Sequence, residues 1–210
     1  MVPQHIKDAL FAVNRLAVAP NHWLWRQRFK LRNDRELYVH LGCGRNYVPG
    51  MINCDGNLFQ KIDLWIDLRR PLPFPDGSVK VAYTSHTLEH LFPEDALQVL
   101  REIRRVLRDD GIARVAVPDL THFFRIARGE AISPWPRHFD APAGQAVNYL
   151  FCDGQHKYAY NSDILRDFAK QAGFTGIEDV SGQFGLAPRP YGNLMLGGEE
   201  EGSLVFELRR

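Results

Sequence analysis

The stretch HLGCGRNYVPGMINCDG, His40 to Gly56, places the tightest constraint on the fold. An apolar run, Leu37 to Leu41, enters a glycine pair, Gly42 and Gly44, as a strand does where it opens a nucleotide site. Only the six residues Arg45 to Gly50 separate Gly44 from the next apolar run, Met51-Ile52. Six residues that include Pro49 and Gly50 cannot build a crossover helix, which takes about ten or more. A glycine turn without its helix narrows both the topology and the ligand.

The rest of the chain alternates strands and helices from Glu36 onward. LYVHL, MINCD, a short IDLWIDL (Ile62 to Leu68), VKVAYTS (Val79 to Ser85) and IARVAVPDL read as five strands. PEDALQVLREIRRVL carries Ala96, Leu97, Leu100, Ile103 and Leu107 on one face, opened by Pro93-Glu94 and ended by Asp109-Asp110-Gly111,. NSDILRDFAKQAGF reads as a helix capped by Asn161 or Ser162 and stopped by Gly173,. TGIEDVSG and GSLVFELRR are the last two strands, joined by a Gly/Pro-rich connection. The fold class is therefore α/β: a Rossmann-like, mainly parallel seven-stranded sheet with an antiparallel C-terminal edge hairpin and helices on both faces.

Residues 1–35 form an extension in front of this domain, which covers 36–210. Ile6, Leu10, Val13 and Ala17 recur at helical spacing until Pro20-Asn21, where the run is expected to stop,. Trp23, Trp25 and Phe29 follow among arginines. The main expectation is a helix packed on the domain, and the second is peripheral contact with a membrane surface. Residues 1–40 hold seven Lys/Arg against three Asp/Glu, yet the whole chain carries only +1. That balance gives no general attraction to nucleic acid, so no nucleic-acid partner is expected. No stretch approaches the roughly 20 apolar residues of a membrane span, and no secretory leader is visible. Cys43, Cys54 and Cys152 form no CxxC pair, so a reducing, cytoplasmic setting is the default,.

The ligand follows from the missing helix. A dinucleotide fingerprint needs GxGxxG, a helix facing the pyrophosphate and an acid about twenty residues on. Here the third glycine position is Tyr47 and the first acid after the turn is Asp55. S-adenosylmethionine (SAM) carries no phosphate and needs no helix dipole beneath it. Its requirements are a tight glycine turn, a carboxylate for the ribose and a polar edge for adenine. Asp55 and Asp67, each ending a strand, lie where open α/β sheets place ligand groups.

Taken together, HLGCGRNYVPGMINCDG, DLRRPLPFPDGSV, SHTLEHL and LREIRRVLRDDGIARVAVPDL resemble the class I SAM-dependent methyltransferases. The resemblance is to the small type 11 group, in which the first helix is abbreviated. It covers residues 37–119 well and HKYAYNSDILRDFAKQAGF more loosely. By this resemblance Leu41, Gly42, Cys43 and Gly44 line the methionine part of SAM, and Asp55 with Gly56 binds the ribose. Asp67 and Leu68 hold the adenine edge, and Ser85 with His86 close the floor near the sulfonium. Two positions depart from the family: His40 stands where an acid is usual, and so does Lys80. Other roles compete at the two acids, an Asx-turn for Asp55 and an ion pair with Arg69 or Arg70 for Asp67.

His86, Glu89 and His90 also match H-x-x-E-H, a zinc-peptidase pattern,. That pattern belongs inside a long helix, whereas here it follows a strand and meets Pro93, so no metal is expected. Residues 120–160, rich in aromatics and proline, are too long for a connector and read as a substrate cap with a short helix at Thr121 to Arg128,. Candidate general bases are His156, His86, Asp119 and His138,. Arg125, Arg128 and Arg137 are candidates for an anionic acceptor group. The expected activity is methyl transfer to the hydroxyl of a small-molecule or glycan-related acceptor. The alternatives are a SAM-fold binding or scaffold protein without chemistry and, below that, a zinc hydrolase. Nothing in the sequence sets an oligomeric state.

Overall fold

The structure, a computed structural model, describes residues 17–30, 36–132, 141–183 and 201–210. Seven strands form one sheet: β1 (Leu37–Leu41), β2 (Ile52–Asp55), β3 (Leu64–Trp65), β4 (Val79–Ser85), β5 (Leu107–Pro118), β6 (Gly176–Asp179) and β7 (Ser203–Arg209). Their order is β3-β2-β1-β4-β5-β7-β6. The first five pair in parallel, and β7 runs antiparallel to both β5 and β6. β4 and β5 are buried almost continuously, as central parallel strands must be,. Of the third predicted strand only Leu64–Trp65 pairs, although Ile66 and Leu68 are also buried.

The link between β1 and β2 contains no helix, and one side chain takes over its work. Buried Asn53 accepts from Val48 N (2.8 Å) and donates through Nδ2 to Val48 O (3.0 Å) and Met51 O (2.9 Å). These bonds satisfy loop backbone groups that a helix would have paired internally. Val48 and Met51 then pack on Val81, Tyr83 and Ile112. His40 lies on this same side, with its ring 4.7 Å from Tyr83 and Nδ1 3.3 Å from Asn53 Oδ1. Lys80 stands near the amino end of β4 and pairs with Asp110.

The helices are α1 (residues 17–30), α2 (Pro93–Val106), α3 (Leu120–Ala127), α4 (Pro142–Phe151) and α5 (Ser162–Gln171). Val18, His22 and Phe29 are the buried positions of α1, a helical spacing, and Phe29 joins the main core against Phe74,. Pro20 and Asn21 lie inside this helix and do not stop it. The proposed periodic run over 4–16 lies outside the described residues. α2 and α5 fill the core with Val99, Leu100, Ile103, Leu165 and Ala169.

Asp109-Asp110-Gly111 does not end α2. The helix stops at Val106, and β5 starts at Leu107 opposite Val79 before resuming at Ile112 opposite Val81. Arg108 to Gly111 are thus a bulge. Gly111 is required there because a Cβ would stand 2.9 Å from Val79 O,. α5 is capped as expected, with Asn161 Oδ1 accepting from Ile164 N (2.9 Å),.

The cap has two helices where one was expected. Besides α3, residues 142–151 form α4, with Pro142 in its first turn,. Phe123 and Ile126 of α3 pack on Ala146, Tyr149 and Leu150 of α4. His138 and Arg137, with Pro134 to Pro136, lie outside the described residues, as does the Gly/Pro-rich connection before β7.

Candidate functional site

The glycine turn is built by three constraints at the carboxyl edge of the sheet. Gly42 and Cys43 both donate to Cys54 O (2.8 and 3.1 Å), which folds the chain back over β2. Gly42 and Gly44 have φ of +68° and +51°, values costly to any residue with a Cβ,. At Gly42 a Cβ would also meet Thr87 Oγ1 at 2.3 Å, whereas at Gly44 it would meet nothing within 4 Å. One glycine is a close packing contact with the end of β4, and the other faces open space. Cys43 and Cys54 are buried free thiols, and burial together with the nearby Asp55 pushes Cys43 up to about 12. Both behave as small hydrophobes, so Cys43 can line a site only through its backbone.

Asp55 holds this turn together. Its Oδ2 accepts from Gly44 N (2.8 Å), and its Oδ1 accepts from Asn57 N (2.7 Å), an Asx-turn,. Each oxygen keeps a second lone pair for a ligand. Next to it, Gly56 O accepts from Trp65 Nε1 (3.2 Å).

Asp67 takes the ion-pair role. Arg69 donates to it through Nε (2.8 Å), Nη2 (3.1 Å) and its own N–H (3.1 Å). The Asp67 N–H donates to His22 Nε2 (2.8 Å), so α1 reaches the proposed adenine edge. Burial lowers the His22 pKa, in keeping with a ring nitrogen that accepts,. Leu68 is buried beside it.

Past β4 the chain makes a strained turn. His86 has φ +49°, unusual for a residue other than glycine, and its N–H is held by Ala116 O (3.0 Å),. Its Nε2 lies 3.0 Å from Ser203 Oγ and its Nδ1 3.4 Å from Glu89 Oε1. HTLEH is therefore a strand end followed by a single 3-10 turn, Leu88–His90, as its neighbours Ser85 and Pro93 implied. Glu89 is 1% exposed, and neither carboxylate oxygen has a hydrogen-bond partner.

The fold brings His156 to the same point. Lys157 N and Tyr158 N donate to Glu89 O (2.7 and 3.3 Å), pinning this segment to the 3-10 turn. His156 Nε2 and His90 Nε2 each stand 4.0 Å from Glu89 Oε1. Burial lowers the His156 pKa, opposed in part by Glu89. Asp119 stays apart from the cluster's lone pairs: it caps α3, its Oδ1 accepting from Thr121 N (2.9 Å). Of the candidate bases, His86 and His156 thus converge. The sequence grouped Glu89 and His90 with His86 in the H-x-x-E-H pattern, but no spacing rule could have joined them to His156.

Comparison with known proteins agrees with this architecture. Residues 39–115 match the family described as "Methyltransferase domain". Two Mycobacterium tuberculosis strains each hold a protein named "Probable S-adenosylmethionine-dependent methyltransferase". Both are 29% identical to this chain over 125 residues, which is 49% of this chain and 45% of theirs. Among solved structures, a SAM-dependent methyltransferase from Archaeoglobus fulgidus superposes with a TM-score of 0.53. It is 16% identical, covering 90% of this chain and 94% of that one. One from Thermotoga maritima gives 0.51 at 17% identity, covering 98% and 94%. These likenesses support a class I SAM-dependent methyltransferase domain within this chain. The match spans less than half the length of the curated relatives.

The same likenesses support SAM as the cofactor, and the turn fits it on two counts. Gly44 leaves an open side that any Cβ would narrow. No helix follows β1, so nothing there is built for a phosphate,. No helix among the described residues is long and apolar enough to cross a membrane.

Proposed function

We propose that the chain transfers the methyl group of SAM to a hydroxyl of a small, glycan-type acceptor lying between the glycine turn and the α3–α4 cap. One observation carries this reading: the Gly42–Gly44 turn and the imidazoles of His86 and His156 share one edge of the sheet. Thr87 connects them, its Oγ1 3.3 Å from Gly42 O and 3.1 Å from Ser85 O. Bound there, SAM supplies a methyl carbon activated by a positively charged sulfur. Leu41, Gly42, Cys43 and Gly44 would hold its methionine part by backbone contact, and Ser85 and His86 would lie beneath the sulfonium. Asp55 would accept from the ribose hydroxyls through its spare lone pairs. Asp67 and Leu68 would meet adenine, which requires the Asp67 N–H to exchange His22 for a purine nitrogen.

A neutral hydroxyl is a weak nucleophile, so the chain must take its proton as the new oxygen–carbon bond forms. His156 donates its Nδ1–H to Leu150 O (2.8 Å), which leaves Nε2 as a bare lone pair,. His86 lies on the other side of Glu89, whose carboxylate stabilises either ring once protonated,. The cap of α3 and α4 would shield the reaction from water. Arg125 and Arg128 border this cap.

Calorimetric titration with SAM and with S-adenosylhomocysteine tests the cofactor site. Gly44→Ala should fold yet bind SAM at least about tenfold more weakly, because the methyl group enters the open side of the turn. Failure of the unmodified chain to bind either ligand would reject the reading. Binding without turnover across a panel of hydroxyl acceptors would instead favour a scaffold protein, a role in keeping with Asp67 being engaged by His22 and Arg69.

A further inference from the structure

We infer that Glu89, His90 and His156 form a binding site for a divalent first-row transition metal, with His86 at its rim. The first ground is the direction of the lone pairs. His156 donates Nδ1–H to Leu150 O (2.8 Å), and His90 Nδ1 lies 3.2 Å from Gln155 O, a carbonyl that can only accept. Both rings therefore carry a hydrogen on Nδ1, and in the neutral form each presents a bare Nε2, which stands 4.0 Å from Glu89 Oε1,. With both rings neutral, three lone-pair donors converge on one point. Such an arrangement repels itself until a cation fills the centre.

The second ground is the carboxylate. Glu89 is 1% exposed and neither oxygen accepts a hydrogen bond, a costly state for a buried ionised group,. The surroundings hold it there and do not relieve it. Its own carbonyl is clamped by Lys157 N and Tyr158 N. The strained backbone of His86 adds a further imidazole nitrogen 3.4 Å from Oε1. Carbonyl acceptors behind the ligating imidazoles are the usual outer partners of metal-bound histidines, fixing tautomer and ring orientation.

Size and chemistry also agree. The three donor atoms lie within 4.8 Å of one another, so a common centre is no more than about 2.8 Å from each. Zinc–imidazole bonds are about 2.1 Å, and side-chain rotation supplies a contraction of well under an ångström. Two imidazoles and one carboxylate suit zinc, iron(II), cobalt or manganese, whereas magnesium and calcium prefer oxygen donors. Three protein donors leave coordination positions open for other ligands.

The role assigned to the ion rests on the methyl-transfer reading; its binding does not. An acceptor bearing vicinal hydroxyls would chelate the open positions. The attacking hydroxyl then loses its proton to His86 Nδ1, and its oxygen forms the bond to the methyl carbon. The carbon–sulfur bond breaks with its electron pair going to sulfur. His90 and His156 thereby become ligands, and His86 the proton acceptor.

The test uses the full chain, stripped with a chelator and titrated with Zn²⁺, with Co²⁺ as the visible-absorption probe. One equivalent per chain is expected, and Glu89→Gln or His90→Ala should each weaken binding by about 100-fold. His90 is partly exposed, so its variant is the one to rely on if Glu89→Gln misfolds. SAM binding is measured by calorimetry on the same samples. No Zn²⁺ or Co²⁺ bound, or binding that both variants retain, overturns the site. If the ion binds and SAM does not, the site stands and the methyl-transfer role falls. If SAM binds and neither ion does, the reverse holds.

Discussion

Replacing Asn53 by alanine deletes the side chain that substitutes for the crossover helix, and the cost can be worked from its partners. Val48 N–H, Val48 C=O and Met51 C=O lose their side-chain partner, and both residues are buried. A buried backbone group left unpaired costs about 1–3 kcal/mol. Val48 C=O keeps its bond from Met51 N (3.2 Å), so two groups are left unpaired; the low end applies because water can enter the vacated space, which gives about 2 kcal/mol,. That is a large share of the 5–15 kcal/mol typical of a whole domain. Asn53→Asp is the sharper variant, since it keeps the shape and the acceptor for Val48 N–H. It puts a carboxylate against Val48 O, Met51 O and Asp63 Oδ2, which the amide now meets at 3.0, 2.9 and 3.1 Å. At pH 7 it should be less stable than the alanine variant. The new carboxyl's folded pKa must lie above its unfolded value, so the native state binds the extra proton. The penalty relative to wild type is therefore absent at low pH and grows as pH rises towards the folded pKa. Urea unfolding followed by far-ultraviolet circular dichroism, at pH 5 and pH 7, measures both. A loss below about 1 kcal/mol for alanine, or aspartate no worse than alanine at pH 7, would refute the argument.

Four other outcomes follow from the same kind of bookkeeping. Burial depresses His40 to about 4 from an ordinary 6.5, so the native state binds fewer protons than the unfolded chain between those values. Stability should therefore fall as pH drops from about 6.5 to about 4, by up to about 3 kcal/mol, with His22 adding in the same direction,. His40→Phe should flatten that slope in urea titrations. Arg114 and Glu207 face each other across β5 and β7 at 2.9 Å, both buried. Glu207→Ala should cost about 3–5 kcal/mol, and Arg114→Leu/Glu207→Leu together should recover most of it in thermal melts. Gly42→Ala should destabilise more than Gly44→Ala, because only the first drives a Cβ into Thr87; equal melting temperatures would contradict this. His22→Ala should tighten SAM binding if adenine takes the Asp67 N–H, and unchanged affinity by calorimetry would remove adenine from that position.

What could be read from the chain depended on whether the determining contacts were local. β1, β4 and the cap of α5 were legible because apolar runs and an Asn161 cap are properties of neighbouring residues. Pro20 misled because a proline's effect depends on its place within a helix, which the residues around it do not reveal. The bulge at Arg108 to Gly111 follows from pairing with β4 and not from the turn-like letters themselves. α4 was hidden by Gly144 in its first turn, and it is held by packing on Phe123. Asn53 was invisible for the same reason: an amide in a strand declares nothing until the loop beside it has been closed.

The H-x-x-E-H letters show the difference most clearly. Judged on a helix, two histidines at i and i+4 face one ligand, and the strand before them together with Pro93 rightly excluded that geometry,. The exclusion of the helix did not exclude the chemistry. A 3-10 turn points Glu89 inward, and two backbone bonds from Lys157 and Tyr158 to its carbonyl bring His156 to the carboxylate. A local motif thus acquires its partner from a distant segment, and the cluster joins the 3-10 turn after β4 to the run before α5. That set borders the glycine turn whose missing helix opened the question of the ligand. The abbreviated β1–β2 link suits a cofactor without phosphate, and the histidine–carboxylate cluster stands at the carboxyl end of β4 in the same sheet,.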